Sequence, residues 1–515
     1  MPPSMSEPSI VLPPTQRLLV TIVVMAATMI VVLDTTIANV ALPHMQASLS
    51  ATPDSISWVL TSYILASAIA LPLTGFMSDR LGRRNLFTFA IIGFTISSTV
   101  CGVAATLPMM VAARVVQGIC GACLAPMSQA VMYDINPPHK HVQAMTIWGM
   151  VIMVGPITGP VLGGWLTDNF DWRWVFFINV PIGIGAAIGS WLLLSNDKKE
   201  KRKFDLLGFT LLALSLSGMQ LMLDRGVTLD WFDSPEIWAE FGVAVSAFWM
   251  FIIHTATNKN TILPRELFAD RNFVMAIMAI TVIGGILVAG AALVAPMMQR
   301  LLGYPVLLAG LLTAPRGAGT LIGMLIAGRI SKIVDPRVTI FTGMLLIAGS
   351  LWMMTGFDLN MDQSLVVSSG AIQGLGLGFV VLPMNLLALA TLPSALRTEA
   401  ASLYNLTRSI GGSVAISVMT ALIASNTQTS HADLGAYVST TSAPFLTVGL
   451  LERLGFPGEG VMQMIDAEIN RQALMIAYID DYWLMMWAAL SVIPIVVLLK
   501  GAKPSDDMPM IDAGH

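Results

Sequence analysis

The chain has 515 residues, of which 55% are hydrophobic and only 11% charged, and its net charge is −4. Soluble globular chains carry about 25% charged residues, so a soluble enzyme is excluded, and no basic patch interleaved with aromatics points to nucleic acid. The apolar runs are continuous over about 20 residues rather than alternating over about ten, which marks a helical membrane protein and not a barrel.

Residues 1–17 read as a polar, Pro-rich segment ahead of the first apolar run. That run is too long for a cleaved leader and lacks a basic start, so it is expected to stay as the first span. Further spans are predicted near 57–77, 86–106, 108–133, 143–167, 174–195, 206–223, 238–256, 274–299, 307–328, 338–356, 365–392, 401–423 and 483–500, after the first at 18–42. Fourteen spans place both termini on one side. Lys and Arg number 19 on that side and 5 on the other, with Arg114, Arg316 and Arg408 inside spans. The positive-inside rule then predicts cytoplasmic termini. The segment 424–482 is expected as a long polar outer loop, too long for a mere connector, and 501–515 as a cytoplasmic tail.

Asp34 lies in the first span, the one acid placed well inside any of the fourteen. A carboxylate in hydrocarbon costs roughly 2.5–3.5 kcal/mol on insertion scales, so it is a functional candidate by default. Asn39 follows it. Tyr63 lies in the second span. After that span come Gly75, Asp79, Arg80, Gly82, Arg83 and Arg84, where glycines permit a tight turn and charges can pair across an interface. The fourth span carries Arg114 and Gln117. Arg at mid-membrane needs a partner, and Asp34 is the natural one; a static structural pair is the plainer alternative. The cation favours the ionised carboxylate and burial the neutral one, a balance that lets an acid load and release a proton. Cys120 and Cys123 sit in a Gly- and Ala-rich helix and read as small contact residues rather than redox or metal ligands; with Cys101 they make an odd set, so no disulfide framework is implied. The fifth span carries Trp148, then Gly155, Gly159, Pro160, Gly163 and Gly164, a spacing that lets helices approach and bend.

An internal repeat joins the two ends of the chain. Pro43 aligns with Pro296, Gly75 with Gly328 and Arg84 with Arg337 at an offset of 253; Gln117, Gly118 and Gly155 align with Gln373, Gly374 and Gly411 at 256. Residues 18–195 and 274–500 therefore read as two six-helix bundles, with 196–273 holding two inserted helices. Two parallel repeats with a midplane site between them are the architecture of a rocking secondary transporter. The counterpart of Asp34 is Leu287, so the acid is not a scaffold feature.

The Gly75–Arg84 pattern resembles the signature loop of the major facilitator superfamily, and Gly155–Gly164 resembles its antiporter motif. The stretches around Asp34, Trp172–Gly183, Phe204–Gly208, Leu223–Gly226 and Asn405–Gly412 resemble the fourteen-helix drug:proton antiporters of that superfamily. The second copy of the loop departs from the pattern, with Lys332 where Asp79 stands. The resemblance implies proton-driven export of hydrophobic or amphipathic drugs across a bacterial inner membrane. It further implies a periplasmic adaptor and an outer-membrane channel as partners, and no cofactor or metal. Asp34 would exchange protons and Arg114 modulate it. Asp79 and Arg83 would latch the cytoplasmic gate. Asn39, Tyr63, Gln117, Trp148, Asn385 and Asn405 are placed at depths suited to the substrate pocket. Asp224 and Arg225 read as a structural pair at the outer end of the seventh span. The alternatives are an exporter of one native metabolite, such as a fatty acid or siderophore, and an intramembrane enzyme. An enzyme would need a nucleophile–base pair at depth, and no His falls mid-span. A phosphate-binding loop of a primary pump is absent from the sequence.

Overall fold

Twelve helices among the described residues are long and apolar enough to cross a membrane, and Trp58–Ala70 with Leu73–Leu81 makes a further, broken crossing. The computed structural model describes residues 13–137, 140–195, 204–258, 261–331, 333–393, 396–437 and 458–499. Every regular element among them is helical. In chain order the long helices are α1 (Pro14–Ser48), α2 (Trp58–Ala70 and Leu73–Leu81), α3 (Arg83–Gly102), α4 (Leu107–Asp134), α5 (His141–Asn169), α6 (Trp174–Leu193) and α7 (Leu206–Arg225). They continue as α8 (Pro235–Thr257), α9 (Arg271–Leu301), α10 (Val306–Ile330), α11 (Pro336–Met354), α12 (Gln363–Ala390), α13 (Arg397–Tyr437) and α14 (Gly458–Leu498). The 29-residue α5 occupies the place of the fifth predicted span. The bend of 61° inside α2 falls at Leu71 and Pro72. Proline there removes a donor from the helix ladder and crowds the preceding turn.

Helices α1–α6 pack among themselves, as do α9–α14, while α7 and α8 pair with each other. Helix α7 also touches α2 and α13, so the inserted pair leans on both bundles. Asp205 caps α7 by accepting from the Gly208 amide at 2.9 Å, and it also pairs with His254 of α8 at 2.8 Å. Arg225 turns to Glu236 and Glu240 of α8 rather than to Asp224, which accepts from Gln220 at 3.0 Å.

The repeat is visible in the helix contacts. Gly118 lets α4 approach the Tyr63 carbonyl, and its counterpart Gly374 lets α12 approach the Arg316 carbonyl. Gly155 meets Val32 of α1, and its counterpart Gly411 meets the Thr281 backbone of α9. Each glycine sits where a side chain would collide, which is why the offset spacing survives in the sequence.

The expected outer loop takes another form. Helix α13 runs on through 424–437 and α14 begins at Gly458, so both flanks of 424–482 are helical. Polar residues alone do not break a helix, and no Pro falls in 424–437 or 458–482. Residues 438–457, Lys332, and the terminal segments 1–12 and 500–515 lie outside the described residues.

Candidate transport site

Asp34 is 1% exposed and Arg114 fully buried. Arg114 Nη1 donates to Asp34 Oδ2 at 2.6 Å and to Gln117 Oε1 at 2.8 Å, and its Nε donates to the Val59 carbonyl at 3.0 Å. Asp34 Oδ1 accepts from Gln117 Nε2 at 2.8 Å and from Asn179 Nδ2 at 3.1 Å. Asn179 is shared with the Ser98 hydroxyl. The Arg114 guanidinium stacks on the Tyr63 ring at 4.3 Å, a cation–π contact. Four helices, α1, α3, α4 and α6, therefore contribute to one buried carboxylate, with α2 covering it. Breaking a pair of this kind by removing one partner strands a buried charge, at about 3–5 kcal/mol.

Between the bundles lies a cavity of about 340 Å³. Val32, Thr35, Thr36, Tyr63, Leu287 and Arg408 are among its lining residues. Tyr63 thus has the cavity on one side and the Arg114–Asp34 pair on the other. Helix α7 adds Leu216, Met219 and Gln220 to the wall, so an inserted helix helps shape the space. An apolar cavity with few polar groups is the usual form of a small-molecule site.

The side chains that join the two bundles gather on the half bearing most of the Lys and Arg residues. Gln129 Nε2 donates to Asn385 Oδ1 at 3.3 Å, and Asn405 Nδ2 donates to Gln129 Oε1 at 3.4 Å. Asn405 ties this amide cluster to the cavity lining. Below them Asp134 pairs with both Arg83 of the first bundle and Arg397 of the second. Gly75 of α2 admits Glu399 of α13, and its counterpart Gly328 of α10 admits Thr146 of α5. The signature loop and its copy therefore make matching close approaches.

The remaining expected residues separate by position. Gly82 caps the lower segment of α2 with φ of 85°, a conformation that favours glycine. Arg84 stacks on Trp191, Arg80 lies over Phe76, and Asp79 is partly buried in the same turn. Tyr63 and Asn405 line the cavity, Gln117 belongs to the carboxylate network and Asn385 to the amide cluster. Trp148 is buried in the core and Asn39 is exposed, donating to its own helix at Thr35. Gly155, Gly159 and Gly163 face Val32, Thr36 and Ile37 of α1, whereas Gly164 faces nothing within 4 Å among the described residues. The side chain of Pro160 lies outside the described residues.

Sequence reasoning passed over Asp134, Asn179, Gln129, Thr35 and Arg408. Asn179 and Arg408 stood inside recognised stretches without a role. Asp134 lies one residue beyond the predicted fourth span and was not singled out. Because Asp134 is the acceptor shared by both bundles, Asp134→Asn is expected to loosen the basic-side seal. Two partly buried pairs are worth together ~1 kcal/mol, about a fivefold shift in the balance of states. Electron-spin distance measurements between the basic-side ends of α2 and α13 would then show a larger long-distance population; an unchanged distribution would deny the seal its electrostatic part.

The sequence pattern of the Major Facilitator Superfamily matches residues 24–416. The chain is 34% identical to the multidrug export protein EmrB of Escherichia coli (strain K12), over 91% of this chain and 92% of that protein. It is likewise 34% identical to the fatty acid resistance protein FarB of Neisseria gonorrhoeae, over 91% of this chain and 93% of that protein. Among solved structures, the human organic anion transporter MFSD10 superposes with a TM-score of 0.59 at 13% identity, covering 93% of this chain and all of that one. The proton:xylose symporter XylE gives 0.56 at 15%, covering 94% and 99%. At those identities the two structures speak for the fold alone.

Proposed function

The chain belongs to the major facilitator superfamily, and from that premise we propose that it is a proton-driven exporter of hydrophobic and amphipathic small molecules. The observation that carries this reading is the buried Asp34–Arg114 pair set directly behind a wall of the inter-bundle cavity. Protonating Asp34 removes the charge that holds Arg114 and Gln117 in place. Losing the proton restores that grip. A site with two arrangements, each favoured by one protonation state, biases a two-state rocking of the bundles. In the cycle proposed, a proton taken from outside loosens α1 from α4 and permits the inward-open state, where substrate binds. Proton release to the cytoplasm re-forms the pair and returns the substrate to the outer side.

The basic face is assigned to the cytoplasm of a bacterial inner membrane, with both termini there. A periplasmic adaptor and an outer-membrane channel complete the proposal. The length of α13 and α14 supports an adaptor platform. Each has 41 residues, about 60 Å of helix, against a hydrocarbon core of about 30 Å. Their surplus projects beyond the face opposite the basic one. A transporter restricted to one native metabolite is the second reading, favoured by the similarity to a protein named for fatty acid resistance.

The test is transport by purified protein in proteoliposomes, with an imposed pH gradient and a fluorescent lipophilic dye. Dye movement against its own gradient that stops when an ionophore collapses the pH difference supports the reading. Movement indifferent to the collapse would make this a facilitator. A panel of drugs and metabolites in the same vesicles separates the broad exporter from the narrow one.

A further inference from the structure

The two halves of the repeat handle their buried charge differently. In the first half Asp34, Tyr63, Arg114 and Gln117 meet. The offsets of 253 and 256 carry these positions to Leu287, Arg316, Gly370 and Gln373. The paired contacts of Gly118 with the Tyr63 carbonyl and of Gly374 with the Arg316 carbonyl support that correspondence from geometry alone. In the second half the acid has become leucine. The arginine has moved from the position of Arg114, now Gly370, to the position of Tyr63.

Arg316 Nη2 donates to the Leu287 carbonyl at 2.9 Å. A Cβ added at Gly290 would lie 3.2 Å from Arg316 Nη2 and 3.6 Å from Gln373 Nε2, so both groups converge on that point of α9. Gln373 is fully buried, and neither end of its amide has a hydrogen-bond partner among the described residues. Among the described residues Arg316 forms no ion pair. Unlike Arg114, Arg316 keeps part of its surface exposed. Leu287, whose carbonyl it holds, lines the cavity, as does Arg408, which also forms no ion pair among the described residues.

A guanidinium in the membrane without a counter-charge is a standing demand for an anion. An amide with idle donors beside it is a second demand. We propose that Arg316 and Gln373, which stand behind Leu287 and not among the residues lining the cavity, form an anion subsite that takes the carboxylate of an amphipathic substrate, whose hydrocarbon chain reaches past Leu287 into the apolar cavity. A guanidinium binds a carboxylate through charge-assisted hydrogen bonds, and the Gln373 amide nitrogen adds one more. Arg408 gives the cavity lining itself a positive charge. The first half thus carries its own carboxylate, whereas the second half borrows one from the cargo. This inference rests on the exporter reading for the word cargo, but the subsite itself is a matter of binding.

The experiment measures binding to the purified full chain in nanodiscs, without any gradient, of three ligands with the same chain length: dodecanoate, dodecanol and dodecyltrimethylammonium. The wild type is expected to bind dodecanoate about tenfold or more tighter than either of the others. Arg316→Gln is expected to lose that preference while dodecanol binding stays, Arg316→Lys to recover part of it, and Gln373→Ala to weaken dodecanoate alone. No preference in the wild type overturns the proposal even if every variant misfolds. A preference that survives Arg316→Gln, or equal losses for all three ligands, overturns it as well. A protein that shows the preference yet moves nothing in proteoliposomes would sink the exporter reading and leave the subsite standing.

Discussion

Asp34→Asn is expected to insert and fold, and to reduce pH-driven dye export to the level of protein-free vesicles. Asparagine keeps the size and shape of the side chain. One of its two terminal atoms, however, is now a donor. If the nitrogen faces Arg114 Nη1, two donors oppose each other across the position of the 2.6 Å bond. If it faces Gln117 and Asn179, it opposes their amide nitrogens instead. Either way the fully buried Arg114 loses its counter-charge. That loss costs about 3–5 kcal/mol at most, partly offset because Arg114 retains Gln117, the Val59 carbonyl and the Tyr63 ring. Folded domains have about 5–15 kcal/mol in hand, so a folded but weakened protein is the expected product. The discriminating readout is downhill dye exchange without a pH gradient. A coupling acid, once removed, leaves the protein able to move dye down its gradient but unable to harness protons. A merely structural pair, once broken, lowers both activities together. Gradient-driven export at the wild-type rate in Asp34→Asn would remove Asp34 from the coupling mechanism altogether.

The helical membrane class, the repeat and the pairing of Asp34 with Arg114 were legible because each leaves a signal along the chain. Apolar runs of bilayer length mark spans, and glycines at a fixed offset mark close contacts. One acid and three arginines placed within the predicted spans leave few pairings to choose from. What stayed hidden depends on side chains that look ordinary until folded. Asn179 reaches Asp34 from 145 residues away and had no local reason to be singled out. Asp134 bridges the bundles only because α4 ends level with Arg397 of α13. Arg316 was noted as a mid-span cation, but its meaning came from the three-dimensional match with Tyr63. The helical flanks of 424–482 were missed for another reason. Polar residues were read as loop, although a helix leaving the membrane has every reason to become polar. The place of α7 in the cavity wall likewise follows from packing, and its sequence is that of any apolar span.

The antiporter-type glycines give the sharpest contrast within one motif. Gly159→Val is expected to abolish transport, while Gly164→Val, five residues along the same helix, is expected to leave it near the wild-type rate. A Cβ at Gly159 would collide with the Thr36 hydroxyl and Cβ of α1, whereas one at Gly164 would meet nothing within 4 Å among the described residues. Thr36 has little room to yield. Its hydroxyl is held at 3.0 Å by the Val32 and Leu33 carbonyls of its own helix, and it reaches the Gly155 carbonyl of α5 at 3.3 Å. The added methyls must therefore move α5 away from α1, and overpacking of that kind costs about 1–3 kcal/mol. This is too little to unfold the protein. It is enough to misplace Thr35 and Thr36 in the cavity wall and to shift Asp34, two residues from Thr36, relative to Arg114 on α4. Gradient-driven dye transport and thermal unfolding, measured on both variants, separate the possibilities. Loss of transport in Gly159→Val with a melting temperature only a few degrees lower fits a seam that must stay close for coupling. Equal damage from both substitutions would mean that valine harms α5 through helix propensity and lipid contact, and that the α1–α5 seam has no special part in transport.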